Sequence, residues 1–431
     1  MFLFSLPIVM GEVLQNLYSS VDSLVVGNFV GKNALAAVSV SETLVNLLVG
    51  FFTGMSMGSS VIVSRAFGSR NQELLGRSMR VAFTYSVALG VFLSLVGIGV
   101  TPWLVRLSDV PAEVYADAVL YLRIYLAGIM FTVIYNISAG ILRAIGDSRT
   151  PFAILAVSCV LNIVLDLILV VFFSLGVAGV GFATIISQFV SVCLAYCQIH
   201  KANEEFHPDF AEARRNLDIV SEVTKIGMPS GLQTSFISFS NIFVWRYVSG
   251  FGATAVAGVG VAQRLDKFIN MPSKAFGLTM TTYVSQNIGA GNRERAKKGE
   301  KHGLLLAYLI TGTLGVLVYS LAETSVRLFN SEPEVVRYGV DMMHCLIPFH
   351  IFMVLRDIYQ GILRGYGITK IPMLLSLIGM IMVRQIFLAV SMQINHSIIN
   401  IYIGYSLAWV VTAILTFVYY QKVKGRLYKN A

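Results

Sequence analysis

Long apolar stretches, separated by short polar segments, run along the whole chain. Each is long enough for an α-helix of about 20 residues, the length that crosses the hydrocarbon core of a bilayer. The strands of a membrane barrel would instead alternate over about ten residues. The pattern therefore predicts an all-α polytopic membrane protein with twelve transmembrane helices. They are predicted at residues 2–26, 35–63, 81–105, 117–142, 151–174, 177–199, 225–249, 253–285, 301–322, 337–363, 372–393 and 397–420.

The second half of the chain repeats the first at a constant offset. The segment 142–151, which begins with Leu-Arg and ends with Pro, reappears at 363–372, and the alternating Ala and Val positions of 34–40 reappear at 255–261. An even number of spans returns the chain to the same side of the membrane, so the two six-helix lobes are related by an axis along the membrane normal. The predicted domains are an N-lobe at 1–200, a cytoplasmic linker at 201–224 and a C-lobe at 225–431.

Composition excludes the soluble alternatives. Of the 431 residues, 56% are hydrophobic and 13% are charged, whereas soluble domains have about 25% charged residues. This excludes a cytosolic enzyme, a disordered protein and a nucleic-acid-binding domain, so we expect no nucleic-acid partner. Of the 32 Lys and Arg residues, 21 lie on one side of the predicted spans and five on the other. By the positive-inside rule, the bias predicts a multi-pass protein of the plasma (inner) membrane with both termini in the cytoplasm.

Three predicted helices carry polar residues that lipid would not favour. Asp22 lies on helix 1, Asn162 and Asp166 lie one turn apart on helix 5, and Thr184 lies on helix 6. An ionisable residue in a span costs at least about 2.5–3.5 kcal/mol, so it normally has a function. If these helices meet, the oxygen-rich cluster could hold a proton or ligate a small cation such as Na⁺. The alternative is a set of structural hydrogen bonds between helices.

A second group of polar positions predicts a substrate cavity shared by the two halves. On helix 8 these positions form one helical stripe, and the repeat-equivalent face of helix 2 is polar too, which lipid contact does not explain. The alternative is a set of long side chains that reach the membrane surface. Charged residues within the spans are mainly acidic in the first half and basic in the second, where they could meet an anionic or zwitterionic group. The predicted cavity residues are Gln15, Tyr18, Glu42, Asn46, Gln263, Lys267, Asn270, Lys274, Asp357 and Arg384.

Together these motifs resemble the multidrug and toxic compound extrusion (MATE) family, in its prokaryotic form, over essentially the whole chain. The residues that carry the resemblance are Pro7 with Leu17-Tyr18-x-x-Val21-Asp22, Gly27 and Gly31; Ala34-Leu35-Ala36-Ala37-Val38; Leu142-Arg143-Ala144-x-Gly146-Asp147-Ser148-x-Thr150-Pro151; Leu161-Asn162-Ile163-Val164-Leu165-Asp166; Gly176-Val177-x-Gly179-x-Gly181-x-Ala183-Thr184; and Leu363-Arg364-Gly365. The resemblance implies two lobes with a cleft that opens alternately inward and outward.

The resemblance also implies roles for particular residues. In many prokaryotic members a cation site in the N-lobe uses an aspartate, an Asn-Asp pair and a threonine, and the residues that match them are Asp22, Asn162, Asp166 and Thr184. Pro7 matches a proline near which helix 1 is thought to bend, which makes it a hinge. Other members use an acidic residue on helix 7, where this sequence has Asn241 and no carboxylate. A C-lobe cation site is therefore not expected, although Asp357 could contribute.

These inferences predict a cation-coupled antiporter, with H⁺ or Na⁺ as the coupling ion, that exports amphipathic drugs, toxins or metabolites by alternating access. The alternative is a flippase-type exporter of anionic lipid-linked or other anionic substrates. Metalloprotease and phosphate-loop motifs are absent from the sequence, so we expect no enzyme and no cofactor. We expect small amphipathic substrates and the lipid bilayer as partners, a monomeric state, and no metal other than Na⁺ at the four-residue cluster.

Overall fold

The computed structural model of the protein describes residues 1–108, 111–204 and 206–429, with only the backbone at residues 18, 19, 43, 107, 428 and 429. The described residues form helices joined by short turns and contain no β-strand. This confirms the all-α prediction. Twelve long helical segments follow one another in the order that the apolar pattern predicts.

The first six segments occupy the first half of the chain, and two of them are interrupted. Their bounds are α1, Phe2–Phe29; α2, Lys32–Gly68; α3, Gln72–Leu107; α4, in two arms, Ala112–Ala127 and Ile129–Ala144; α5, Arg149–Asp166 with a π-helical continuation Leu167–Phe172; and α6, Gly176–Ala202. The arms of α4 meet at Gly128 with a bend of 45°. A Cβ at Gly128 would lie 2.3 Å from the side chain of Ile185 on α6, so a larger residue at this position would require Ile185 to move.

The second six segments follow a short helix, Phe210–Arg215, that lies in the connector. Their bounds are α7, Leu217–Ser249; α8, Ala253–Gly289; α9, Arg293–Ser320, followed by a short helix Ala322–Arg327; α10, Pro333–Leu346, a 3₁₀ turn Ile347–Phe349 and His350–Gly365; α11, Lys370–Leu377, a π-helical turn Ile378–Val383 and Arg384–Ile394; and α12, Ile399–Lys429.

Most of these segments have the length and composition of membrane spans. Among the described residues, eight helices are long and apolar enough to cross a membrane, and the two arms of α4 together make a ninth. The other three segments, α1, α7 and α8, contain 28, 33 and 37 residues. At a rise of about 1.5 Å per residue, each is also longer than the hydrocarbon core of about 30 Å.

By its internal contacts the chain divides into two compact units, which we call the N-unit (Met10–Gly231) and the C-unit (Met1–Val9 with Leu232–Ala431). The boundary between them falls inside two helices, α1 and α7. Pro7 and Pro229, which the repeat pairs, lie close before it in each helix. Proline lacks a backbone N–H, and its ring crowds the preceding turn, which weakens a helix locally. Each of the two helices that cross the boundary therefore contains, close to it, a helical turn that proline weakens.

Within each unit, equivalent helices cross at close range because glycine lies at the crossing. In the C-unit, a Cβ on Gly361 of α10 would lie 2.2 Å from the carbonyl oxygen of Gly277 on α8, and Thr281 Oγ1 donates a hydrogen bond to the Gly361 carbonyl at 3.1 Å. In the N-unit, at the repeat-equivalent positions, a Cβ on Gly140 of α4 would lie 3.0 Å from the carbonyl oxygen of Ser56 on α2. The sequence repeat is thus also a repeat of helix packing.

Candidate ion-coupling site

Asp22, Asn162 and Asp166 meet in the interior of the N-unit. Their residue exposures are 4%, 0% and 0%, although they come from helices α1 and α5, which are far apart in sequence. With the amide of Asn162 oriented so that its nitrogen faces the two acids, it donates to Asp22 Oδ1 at 2.9 Å and to Asp166 Oδ2 at 3.3 Å. The three side chains therefore form one polar cluster in the interior of the N-unit.

The two acids of this cluster also contact each other. The Asp22 and Asp166 side chains lie within hydrogen-bonding range of each other, and two carboxyl groups can form a hydrogen bond only when one of them carries a proton. Asp166 Oδ1 is buried without a hydrogen-bond partner among the described residues. Within the same residues, neither acid has an ion pair with a basic side chain. A pair of buried acids without a protein cation needs a proton or another cation to be stable.

The local structure of α5 positions the second acid. Asn162 and Asp166 are one turn apart, so their side chains share a face. The helix changes to π-helical geometry immediately after Asp166, from Leu167 to Phe172, and π-helical turns are frequent at functional sites. The chain then turns through Gly176, whose φ of +57° favours glycine. This turn starts α6, which packs on α5.

Other polar groups of the N-unit lie near the acids. Tyr121 on α4 is 4% exposed and within electrostatic range of Asp22, Asp166 and Glu42. Sequence reasoning missed Tyr121, since a lone tyrosine in an apolar span is an ordinary core residue, and it placed Glu42 in the substrate cavity. Thr184 is buried on α6, where its hydroxyl donates to the carbonyl of Val180 at 3.0 Å.

The other N-unit residues predicted for the substrate cavity are more exposed than this cluster, where their side chains are described. Gln15 on α1 and Asn46 on α2 have exposed side chains, and Glu42 is half-buried. The side chain of Tyr18 lies outside the described residues. The predicted hinge residue, Pro7, lies within the continuous helix α1 and is half-buried.

In the C-unit, two of the four predicted stripe residues on α8 bind other side chains of the unit. Gln263 donates to the Tyr405 hydroxyl at 2.9 Å, and Asn270 donates to Asp266 Oδ2 at 2.6 Å. Lys267 and Lys274 have exposed side chains. The stripe thus contains an inward pair and an exposed cationic pair.

The predicted cavity residues Asp357 and Arg384 are buried in the C-unit. Arg356 lies 2.7 Å from Asp357 Oδ1, and Ser273 on α8 donates to Asp357 Oδ2 at 2.9 Å. Arg384 is 1% exposed, donates to Ser240 Oγ at 2.9 Å and lies 5.2 Å from the centre of the Tyr405 ring. Asp357 therefore already has a cationic partner from its own helix. Across the described residues, no group of three or more His, Cys, Asp or Glu side chains could hold a metal ion.

Comparison with known proteins then decides the family. The MatE family model matches residues 7–168 and 229–390, which is most of the chain in two copies. The chain belongs to the MatE family. The two matches begin at Pro7 and Pro229, so the family model detects the same repeat as the sequence and the packing.

Curated relatives in the MatE family match nearly the full length. The probable multidrug resistance protein YoeA of Bacillus subtilis is 29% identical over 98% of this chain and 93% of its own length. The probable multidrug resistance protein NorM of Thermotoga maritima is 27% identical over 87% of this chain and 81% of its own length. The resemblance inferred from the sequence motifs is confirmed.

Solved structures confirm the two-lobe MatE fold. A MOP superfamily transporter from Pyrococcus furiosus aligns with a TM-score of 0.90 at 23% identity, over 99% of this chain and 96% of that one. An outward-facing multidrug resistance MATE family transporter aligns with a TM-score of 0.89 at 22% identity, over 99% and 96%. As a MatE protein the chain is a multi-pass membrane protein of a transporter family, which is not a class of enzymes.

Proposed function

We propose that the protein is a cation-coupled antiporter that exports amphipathic drugs, toxins or metabolites. The observation that carries the proposal is the buried pair Asp22 and Asp166, bridged by Asn162 and without a basic partner among the described residues. The curated relatives are named multidrug resistance proteins, which supports drugs as the substrate class. We propose a monomer in the plasma (inner) membrane with both termini in the cytoplasm, and no cofactor.

The proposed mechanism is linkage between a cation and the substrate. When both acids are ionised they repel each other in a medium of low dielectric constant, so α1 and α5 are destabilised in their present contact. A cation restores that contact, whereas the substrate stabilises the other arrangement of the helices. Each ligand can shift the equilibrium only by its difference in affinity for the two states. Pro7, in the same helix as Asp22, is the proposed hinge.

H⁺ and Na⁺ are both coupling ions for which these residues are suited. The close approach of the two acids favours a proton, since a protonated carboxyl group could donate a hydrogen bond to the other carboxylate. An Na⁺ ion would use the oxygen atoms of Asp22, Asn162, Asp166 and Thr184, as the family resemblance implies. The two ions differ in one respect that can be measured, which is the gradient that drives export.

We propose that the substrate contacts the exposed polar residues of the predicted cavity set. In the N-unit these are Gln15 and Asn46, with the half-buried Glu42. In the C-unit they are Lys267 and Lys274. The half-buried Gln263 and the buried residues Asn270, Asp357 and Arg384 fix the helices that carry them, through the contacts described above.

A second candidate function is a flippase-type exporter of anionic lipid-linked or other anionic substrates. The observation in its favour is the exposed pair Lys267 and Lys274, which lie two turns apart on α8 and so face the same side. Two cations on one face would attract a phosphate or carboxylate group. Competition by anionic and cationic compounds for export therefore separates the two candidates.

The test is export from proteoliposomes in which a pH gradient and an Na⁺ gradient are imposed separately, with ethidium as the probe. We expect Asp22→Asn to abolish the response to the coupling gradient, because a neutral amide leaves a single carboxylate in the cluster. The matched control is Asp218→Asn, the same chemical change at an exposed position near the start of α7. Unchanged gradient-driven export in Asp22→Asn would exclude this site.

A further inference from the structure

The C-unit contains a buried histidine whose hydrogen bonds determine where its proton lies. His350, at the start of the second part of α10, is 4% exposed. Its Nδ1 atom lies 3.1 Å from the carbonyl oxygen of Leu346 and 3.2 Å from that of Ile347. Carbonyl oxygens only accept hydrogen bonds, so Nδ1 must carry a proton. In a neutral imidazole, Nε2 then has a lone pair and no proton.

The other nitrogen faces an acid on a different helix. His350 Nε2 lies 3.0 Å from Oδ1 of Asp266 on α8. Both atoms are buried, and neither makes a hydrogen bond among the described residues, so the two groups approach each other closely without an aligned hydrogen bond. If the imidazole were neutral and the carboxyl ionised, the carboxylate oxygen would lie 3.0 Å from a nitrogen that has a lone pair and no proton. The contact is attractive only if the pair carries one additional proton, on Nε2 or on Asp266.

The side chains around Asp266 and His350 fix the positions of the two groups, but they do not take the place of the additional proton. Asn270 donates to the second oxygen of Asp266 at 2.6 Å, and the ring of Trp409 on α12 meets the imidazole edge-on, with ring centres 5.2 Å apart. The titratable and charged groups on the surrounding helices are Tyr308 on α9, Tyr405 on α12, Arg384 on α11, Arg356 and Asp357 on α10, and Arg264 and Lys267 on α8.

The cations among these neighbours have other positions or partners. Arg356 pairs with Asp357, and Arg384 donates to Ser240 and lies over the Tyr405 ring. The side chains of Arg264 and Lys267 on α8 are exposed.

We infer that Asp266 and His350 together form a proton-binding site in the C-unit, distinct from the acid pair of the N-unit. The reaction is uptake of one proton from water by a neutral imidazole and a carboxylate, which gives an imidazolium–carboxylate pair or its neutral tautomer. The bound proton joins α8 to α10. Its release leaves the carboxylate oxygen 3.0 Å from a nitrogen that has a lone pair and no proton, which opposes the same contact.

The site does not depend on the proposed coupling role of the N-unit, so its test does not use transport. The test is NMR of the full chain in lipid nanodiscs at pH 7, with ¹⁵N in the histidine rings. The chain has six histidines, and His350→Gln identifies the two signals of His350 by their loss. We expect protonated signals from both Nδ1 and Nε2, or one proton shared with Asp266.

Asp266→Asn provides the decisive comparison. Its amide can donate to Nε2, so the contact remains but the additional proton is no longer needed, and the Nε2 signal should move to the unprotonated position. Asp341→Asn, the same change at an exposed site on α10, and Asp22→Asn in the N-unit should leave both signals in place. An unprotonated Nε2 in the wild-type protein overturns the inference by itself, even if a variant fails to fold. An unchanged spectrum in Asp266→Asn also overturns it.

Discussion

The N-unit and the C-unit have equivalent helix crossings, but their buried charged residues have different partners. In the N-unit, Asp22 and Asp166 contact each other and an amide donor, without an ion pair to a basic residue of the described chain. In the C-unit, Asp357 is paired with Arg356, and Asp266 faces His350. A buried acid pair that lacks a protein cation must obtain one from solution, whereas a paired acid need not. We therefore expect the response to an ion gradient to depend on the N-unit first.

The repeat shows that this difference lies in the side chains and not in the backbone. The first-half positions equivalent to Asp266 and His350 are Val45 and Ile129, and both belong to the hydrophobic core of the N-unit. The second-half position equivalent to Asp166 is Phe387, which packs against the core of the C-unit. Each unit thus fills with apolar side chains the place where the other has its titratable group. A duplicated scaffold can hold two different sites while it keeps the shared helix crossing.

The largest expected effect comes from removing an acid from the N-unit. Asp166→Asn should reduce gradient-driven export in proteoliposomes at least tenfold, a change of about 1.4 kcal/mol in the linkage. It should not lower the thermal unfolding temperature, because no basic side chain loses its partner. Asp341→Asn, at an exposed position, should change neither quantity. If the Asp166→Asn protein were less stable than the wild type and still exported, Asp166 would stabilise the fold without serving the response to the gradient. That result would contradict the contrast drawn between the two units.

The next effect should come from breaking an ion pair in the C-unit. Arg356→Gln leaves the Asp357 carboxylate buried with Ser273 as its remaining donor, and removal of one partner from a buried pair costs about 3–5 kcal/mol. We expect a lower unfolding temperature in detergent, with the stability largely restored by the double variant Arg356→Gln/Asp357→Asn. If the single variant is as stable as the wild type, the pair does not stabilise the C-unit.

A smaller effect should distinguish the two glycine crossings. Gly361→Ala brings a methyl group to 2.2 Å from a backbone oxygen, a contact that needs the helices to separate, and overpacking of this kind costs about 1–3 kcal/mol. Gly140→Ala meets the equivalent oxygen at 3.0 Å, and alanine favours the helix by about 1 kcal/mol, so its net effect should be close to zero. Equal losses of stability in the two variants would show that the crossings do not differ.

The smallest expected effect concerns the connector at the base of the N-unit. Arg80 donates to both oxygens of Glu212 at 2.6 and 2.8 Å, and these bonds lower the pKa of the Glu212 carboxyl from its usual value. Because the folded value is the lower one, the contribution to stability is present above the unfolded value of about 4.3 and is lost as the pH falls through the folded value.

Glu212→Gln should therefore cost about 1 kcal/mol near pH 7 and less in acid, as measured by thermal unfolding at several pH values. The control is Glu73→Gln, since Glu73 is exposed and pairs with Arg77 on the surface of α3, where ion pairs contribute little. A Glu212→Gln effect that does not depend on pH would show that the ion pair is not its cause.

Much of the candidate ion-coupling site could be predicted from the sequence, because its polar residues are unusual in an apolar membrane span. Asp22, Asn162 and Asp166 stand out in apolar windows, and the structure brings the three together. Asp266 and His350 also lie in predicted spans, but nothing in their spacing pairs them, since they belong to different helices that are far apart in sequence. Tyr121 gives no signal at all, because tyrosine is common in apolar helices. Their positions are set by which faces of α8, α10 and α4 turn inward.

The sequence by itself determined the all-α fold, the order of twelve helices, the repeat and the residues of the N-unit cluster. Each of these follows from local rules, namely the length of an apolar run, the low tolerance of a membrane span for charge, and the recurrence of motifs at a constant offset. The tertiary structure alone decided that Asp357 has a cation and that Asp266 meets a histidine. These pairings depend on the distance between helices, which glycine contacts such as Gly277 with Gly361 set, and no one-dimensional pattern contains that distance.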